Sequence, residues 1–155
     1  MKISVGADHA GYELKEEIRR RLSALGHEVL DRGASGAEST DYPDYAILVA
    51  EDVSQGRAER GILICSTGIG MSITANKVAG VRAALAWNAD VARLTREHND
   101  ANILAIGARY TTIDQASELT EIFLGAGFLG GRHARRVGKI AAVERRADAI
   151  QGDID

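Results

Sequence analysis

The stretch from Gly61 to Lys77, Gly-Ile-Leu-Ile-Cys-Ser-Thr-Gly-Ile-Gly-Met-Ser-Ile-Thr-Ala-Asn-Lys, decides the predicted fold. Residues 62–64 form a continuous apolar run, which is typical of a strand buried on both faces of a parallel sheet. A turn rich in glycine and hydroxyl groups follows, and apolar residues then recur at helical spacing from Met71. Because backbone N–H groups are free at a helix start, the stretch predicts a strand, an anion-binding turn and a helix.

Cys65 ends the predicted strand beside this turn. Proximity to a helix N-terminus favours the thiolate, which makes Cys65 a candidate base or nucleophile. A glycine-rich turn is also common in α/β proteins without a site, and a lone cysteine is usually a small buried hydrophobe. Both explanations stay open on this stretch alone.

Several known loops are excluded by single positions. Ile73 stands where the dinucleotide fingerprint needs its third glycine, and no Gly-Lys-Ser/Thr follows as in a nucleotide P-loop. Met71 stands where a phosphatase-type cysteine loop needs arginine. The turn therefore predicts an anion site outside these classes.

The composition predicts an ordinary globular protein. The chain has 155 residues, of which 45% are hydrophobic and 26% charged, with a net charge of −3. This balance gives no reason to expect nucleic acid or membrane as a partner, and one cysteine with four histidines excludes a thiolate-rich zinc site. With no apolar run near the roughly 20 residues of a membrane span and no signal-peptide pattern, we expect a cytoplasmic location.

Strands and helices alternate along the chain. The strands are predicted at residues 2–6, 28–31, 61–65, 82–87 and 103–106, with a helix after each and an Arg-rich helix at about 132–149. The helix after the fourth strand is predicted at residues 89 to about 97. This order predicts one α/β domain over residues 1–150 with a five-stranded parallel sheet covered on both faces, and a disordered tail at 151–155. Ligands of such sheets bind outside the carboxyl ends of the strands. We therefore expect residues 8–9, 65–70 and 107–109 to lie along one edge.

The candidate functional residues favour proton transfer on a small phosphorylated substrate. Arginines in a chain of negative net charge indicate a local anion site, for which phosphate is the natural occupant. Nucleophilic cysteine chemistry, a solvated helix face over residues 132–136 and a capping role for His98 stay open as alternatives. The candidates are Asp8, His9, Cys65, Thr67, His98, Asn99, Arg109, Arg132, His133, Arg135 and Arg136.

Five separated blocks resemble the type B ribose-5-phosphate isomerase family, which also holds the galactose-6-phosphate isomerase subunits. The blocks are residues 6–11, 41–43, 65–77, 96–102 and 130–133, in the order and spacing of that family. Some members carry a glutamate base where this chain has Met71, so the chain resembles the branch that uses cysteine. Ser66 stands where glycine is usual.

This resemblance implies a Rossmann-like three-layer α/β/α sandwich, a homodimer or dimer of dimers, and no metal or organic cofactor. It implies a phosphorylated pentose substrate, with ribose 5-phosphate and ribulose 5-phosphate interconverted through a cis-enediol. A six-carbon phosphosugar such as allose or galactose 6-phosphate, or a binding module without catalysis, are the alternatives.

The resemblance also implies a role for each site residue. Cys65 would move the proton between C1 and C2, and His98 would open the sugar ring. The oxyanion would be held by Thr67 and the backbone of Ser66, Gly68, Ile69 and Gly70. The substrate would be bound by Asp8 and Asn99 at its hydroxyls, by His9, Arg109, Arg132 and Arg136 at its phosphate, and by Tyr42 along the pocket wall. The site would lie between subunits, with His98, Asn99 and Arg109 serving the neighbour's Cys65 and the C-terminal helix packed on the partner.

Overall fold

The computed structural model describes residues 1–152 as alternating strands and helices. The strands are β1 (Lys2–Ala7), β2 (Glu28–Asp31), β3 (Arg60–Cys65), β4 (Ala83–Leu85) and β5 (Ile103–Gly107). The helices are α1 (Tyr12–Ala24), α2 (Tyr42–Ser54), α3 (Ile69–Ala75), α4 (Ala89–Asn99), α5 (Ile113–Gly125) and α6 (Arg132–Gly152). Short 3₁₀ turns follow β1 at residues 9–11 and β5 at residues 108–110.

The five strands form one parallel sheet in the order β2-β1-β3-β5-β4. Ala7 pairs with Ile64, and Cys65 pairs with Gly107, so the ends of β1, β3 and β5 are level with one another. The predicted five-stranded parallel sheet is therefore confirmed.

Helices cover both faces of the sheet. Ile62 and Ile64 of β3 belong to a buried cluster that includes residues of α1, α4 and α5. Leu63 and Cys65, which alternate with them, belong to a second cluster with residues of α2 and α3. This alternation along one strand is the pattern of a sheet buried on both sides, and it confirms the three-layer α/β/α sandwich.

Three predicted boundaries were wrong. β4 is limited to Ala83–Leu85, not residues 82–87, because Asn88 already caps α4 by accepting the Val91 N–H at 2.8 Å. α4 continues through Asn99 instead of ending near residue 97. α6 runs to Gly152, so residues 151–152 of the predicted tail are helical. Residues 153–155 lie outside the described part of the chain.

Two further expectations stay predictions. Over residues 1–152, none of the helices combines the length and the apolar character that crossing a bilayer requires. The cytoplasmic location is untested, and so is the division of the chain into one domain over residues 1–150.

Candidate active site

Three strand ends meet at the carboxyl edge of the sheet. Asp8 follows β1, Cys65 ends β3, and Arg109 lies in the 3₁₀ turn after β5. β2 lies on one side of β1 and the later strands on the other, so β1 and β3 flank the topological switch point where ligands of open α/β sheets bind. The predicted meeting of these segments along one edge is confirmed.

Cys65 is buried at this edge, with 5% of its surface exposed. Its Sγ accepts a hydrogen bond from the Gly68 N–H at 3.1 Å. Thr67 Oγ1 accepts the Ile69 N–H at 3.2 Å. The turn therefore holds a sulfur atom that accepts a hydrogen bond, as a base that accepts a proton must be able to do. It also holds a hydroxyl group beside the amides that begin α3.

Two glycines allow this turn to form. Gly68 has a φ of +76°, and a Cβ there would lie 2.6 Å from Leu85 Cδ1, so both its backbone and its surroundings exclude a side chain. A Cβ on Gly70 would lie 2.5 Å from the ring of Tyr42. The absence of that side chain lets the half-exposed Tyr42 pack directly against the turn.

Asp8 and His9 are held by specific hydrogen bonds. The buried Asp8 uses Oδ1 to accept the N–H groups of Ala10 at 3.0 Å and Gly11 at 3.1 Å, which caps the 3₁₀ turn. His9 Nδ1 accepts the Thr40 N–H at 3.2 Å. Since Nδ1 is an acceptor, the neutral imidazole carries its proton on Nε2, which leaves that nitrogen as a donor.

Arg109 lies at the carboxyl edge of its own chain. Its backbone N–H donates to the carbonyl of Ser66 at 3.0 Å, and its side chain is exposed. The resemblance grouped Arg109 with His98 and Asn99 as residues that serve the neighbour's Cys65. The structure instead places Arg109 at the edge that bears the Cys65 of its own chain. We call Asp8, His9, Tyr42, residues 65–70 and Arg109 the carboxyl-edge cluster.

His98 and Asn99 lie at the amino edge of the sheet. They occupy the last turn of α4, the helix that brings the chain back from the end of β4 to the start of β5. The Asn99 carbonyl accepts a hydrogen bond at 3.1 Å from Nε of Arg82, which directly precedes β4. Four residue steps of β5, about 13 Å, separate this edge from the level of Cys65.

His133, a candidate residue to which the resemblance gave no role, is a neighbour of His98. The two imidazole rings stack with their centroids 4.2 Å apart and their planes 8° from parallel. Burial lowers the pKa of His133 from its ordinary value of 6.5, and the positive charges of His98, Arg132 and Arg136 add to the effect. The block at residues 130–133 contained this histidine, but only the packing of α6 against α4 reveals its partner.

Arg132 and Arg136 project from the first two turns of α6, next to His133, and both are exposed. Leu129 joins this segment to α4 by donating its N–H to the Glu97 carbonyl at 3.1 Å. We call His98, Asn99, Arg132, His133 and Arg136 the amino-edge cluster. The structure thus divides the predicted site residues into two clusters at opposite edges of the sheet.

A cavity of about 690 Å³ opens beside the amino-edge cluster. Its walls include Asn99, Arg82 and Lys77, together with Ile140 and Val143 of α6. Within residues 1–152, no three side chains of the His, Cys, Asp and Glu type converge to hold a metal ion. The expectation of a site without metal or organic cofactor stays a prediction.

The chain is similar to several named proteins and solved structures. The protein from Escherichia coli called ribose-5-phosphate isomerase B is 48% identical over 145 residues, which span 94% of this chain and 97% of that protein. Ribose-5-phosphate isomerase B of Clostridium thermocellum has a similar structure, with a TM-score of 0.94 and 54% identity over 95% of this chain and 99% of its own. The enzyme of Mycoplasma genitalium with bound ribulose 5-phosphate gives a TM-score of 0.90 and 40% identity over 93% and 96% of the two chains.

These similarities extend over nearly the whole chain, and a family model agrees with them. The model that describes the Ribose/Galactose Isomerase family matches residues 3–140. We conclude that this protein is an isomerase and belongs to the Ribose/Galactose Isomerase family.

Proposed function

We propose that this protein interconverts ribose 5-phosphate and ribulose 5-phosphate through a cis-enediolate, with Cys65 as the base. A relative of similar structure was solved with ribulose 5-phosphate, and other relatives carry the name of this activity. The two clusters supply the required groups: an acceptor sulfur, hydrogen-bond donors for an oxyanion, imidazoles and several guanidinium groups.

The separation of the two clusters is the observation that carries the proposal. About 13 Å of β5 lies between the level of Cys65 and the edge that bears His98, which is too far for one five-carbon sugar to contact both groups in one chain. A second copy that presents its amino edge to this carboxyl edge would complete the site. A two-fold dimer would then contain two identical sites, each built from both chains.

In this mechanism the sugar ring opens first. His98 acts as acid and base at the hemiacetal: the C1–O4 bond breaks, O4 gains a proton, and the C1 hydroxyl loses one as the aldehyde forms. Cys65 of the facing chain then takes the proton from C2, and the electron pair moves to O1 of the enediolate. The same thiol returns the proton to C1, and a proton passes from the O2 hydroxyl to O1 as the ketone forms at C2. Thr67 and the amides of residues 66–70 would stabilise the oxyanion.

The remaining side chains would hold the substrate at its two ends. Sugar hydroxyls would be bound by Asn99 of the facing chain and by Asp8. Asp8 would use the carboxylate oxygen that does not cap the 3₁₀ turn. Tyr42 would line the pocket against Gly70. The phosphate would be bound by His9, Arg109, Arg132 and Arg136.

We also propose that α6 packs on the partner chain. Ile140 and Val143 are 46% and 63% exposed, an unusual degree for apolar side chains on neighbouring turns of one helix. Both line the cavity beside Asn99, where the facing chain would have to approach. The apolar surface on α6 would thus be continuous with the shared site.

A six-carbon phosphosugar is the second candidate substrate, because the description of the matched family includes galactose as well as ribose. Both sugars would react by the same steps and differ only in the length of chain between the carbonyl carbon and the phosphate. The binding module without catalysis is not supported, since the chain belongs to a family of isomerases.

Formation of ribulose 5-phosphate from ribose 5-phosphate by the purified protein tests this proposal. We expect turnover of about 1 s⁻¹ or faster, unchanged by excess chelator. Ribulose 5-phosphate recovered from D₂O should carry deuterium at C1, because the Cys65 thiol exchanges the proton taken from C2 with solvent before it returns one to C1. Turnover of allose or galactose 6-phosphate alone would replace the pentose by a six-carbon substrate. No turnover of any of these sugars would contradict the proposed function.

A further inference from the structure

The end of α4 has an unusual backbone. Asp100 follows Asn99 with a φ of +46°, and it is the one residue other than glycine in the described part of the chain with a positive φ. α1 and α2 are each followed within two residues by a glycine with positive φ, Gly26 at +85° and Gly56 at +71°. Because glycine adopts this conformation without strain, the aspartate at position 100 needs another explanation.

The carboxylate of Asp100 is held between two arginines. Arg96 Nη1 donates to Oδ1 at 2.8 Å, and Arg82 Nη2 donates to Oδ2 at 3.1 Å. Arg96 is nearly buried, with 4% of its surface exposed. The side chain of Asp100 therefore links a buried cation on its own helix to a cation at the start of β4.

The same two arginines bind the backbone at the helix end. Arg82 Nε donates to the carbonyls of Asn99 at 3.1 Å and Asp100 at 3.0 Å, and Arg96 Nη1 donates to the Ala101 carbonyl at 2.6 Å. Three consecutive carbonyls, which would otherwise lack partners at a helix end, are thereby satisfied. We call Arg82, Asp100 and Arg96 the arginine clamp.

The clamp is anchored to the sheet. The backbone N–H of Arg82 donates to Oδ1 of Asn102 at 2.8 Å, and the Asn102 N–H donates to the Arg82 carbonyl at 3.0 Å. The last turn of α4 is thus fixed to the starts of β4 and β5 from both sides. His98 and Asn99 are the two residues on that turn.

We propose that the arginine clamp, by fixing the last turn of α4, positions His98 for opening of the sugar ring. This inference depends on the function proposed above. The side chains of the clamp hydrogen-bond one another and the backbone at the helix end, so the clamp acts through the geometry of that end and not on proton transfer between C1 and C2. A displacement of about 1 Å at a catalytic group lowers a rate by up to a hundredfold.

The choice of substrate separates these two steps. Ribose 5-phosphate enters as a closed ring and must open before it reacts. Ribulose 5-phosphate is already open, because its O5 carries the phosphate and no five-membered ring can close on C2. Exchange of its C1 proton with D₂O therefore needs Cys65 and the oxyanion donors but not ring opening.

Asp100→Gly is the central variant, because glycine keeps the backbone conformation and removes only the carboxylate. We expect kcat/KM for ribose 5-phosphate to fall at least tenfold, while deuterium exchange at C1 of ribulose 5-phosphate stays within about twofold of wild type. Arg82→Lys, which keeps the charge but loses the forked donors, should show the same split. Asp100→Asn and Asp90→Asn form a matched pair: each removes one carboxylate at an end of α4, and only the first should affect ring opening.

Equal losses of both reactions in Asp100→Gly and Arg82→Lys would reduce the clamp to a stabilising contact and overturn the proposal. Unchanged turnover of ribose 5-phosphate in both variants would overturn it as well. A wild-type protein that exchanges no deuterium into ribulose 5-phosphate would instead contradict the proposed isomerase, which distinguishes that failure from a failure of the clamp.

Discussion

The two edges of the sheet hold their functional groups in different ways. At the carboxyl edge, Cys65, Thr67 and the amides of α3 lie within a few residues of one another and are shaped by local hydrogen bonds. At the amino edge, His98 and His133 are distant in sequence and meet because α6 packs against α4. The groups for proton transfer at the first edge lie in a single turn, whereas the imidazoles at the second edge are brought together by tertiary packing.

This difference separates two kinds of chemistry in the proposed reaction. The carboxyl-edge cluster carries the groups for proton transfer between carbon atoms, the amino-edge cluster carries the group for ring opening, and both contribute to phosphate binding. If the assignment is correct, variants at the two edges should affect different steps. Three substitutions test this, and a fourth tests the titration of His133; they follow in order of decreasing expected effect.

Cys65→Ala should have the largest effect. We expect kcat to fall by about 10²–10⁴-fold or more, with KM little changed, because a general base contributes this much to a rate. Both isomerisation and C1 deuterium exchange should be lost together, since each needs the same proton transfer. Ser72→Ala, a small change on the neighbouring helix α3, serves as the control, and full activity of Cys65→Ala would remove the thiol from the mechanism.

His98→Asn should sharpen the contrast between the edges. We expect turnover of ribose 5-phosphate to fall by about 10²-fold, as for loss of an acid–base group, while C1 exchange into ribulose 5-phosphate persists. Turnover is measured by ketose formation and exchange by proton NMR in D₂O. His27→Asn, which changes a histidine outside both clusters, should leave both rates unaltered. Loss of exchange in His98→Asn would place this histidine in the proton-transfer step.

The two edges were also unequally predictable from the sequence. The parallel sheet and the convergence of Asp8, Cys65 and Arg109 followed from the alternation of elements and from the rule on strand ends. The spacing of residues could not show that the helix extends to His98 and Asn99, because the residue that ends it is an aspartate with positive φ and not a glycine. The carboxylate of Asp100 accepts hydrogen bonds from two arginines, one of which lies outside the helix. The stack on His133 likewise depends on a helix that begins more than 30 residues after His98.

Arg136→Ala should produce a smaller change, confined to substrate binding. We expect KM to rise roughly tenfold or more with kcat nearly constant, since a charge-assisted hydrogen bond to phosphate would be lost. Arg135→Ala is the matched control, because Arg135 is exposed on the same helix but has no assigned contact. Inorganic phosphate should also inhibit Arg136→Ala less than it inhibits wild type. Equal KM values for the two variants would contradict the assignment of Arg136.

His133→Phe should have the smallest effect, on the dependence of stability on pH. The lowered pKa of His133 means that the unfolded chain binds the proton more tightly than the folded chain. This contribution to stability is complete above the ordinary pKa and is lost as the pH falls through the lowered value. Urea unfolding at pH 8 and pH 5 should therefore show a larger loss of stability for wild type than for His133→Phe. Equal losses would indicate that His133 does not titrate in this way.

The claim that one site is built from two chains is tested most directly by combining two inactive variants. Cys65→Ala and His98→Asn chains with different tags are expressed together, and the mixed dimer is purified by both tags. Such a dimer contains one site with both substitutions and one with neither, so we expect ribose 5-phosphate turnover of about half the wild-type value. A mixed dimer no more active than its two parents would contradict the shared site, because each chain would then need its own Cys65 and its own His98.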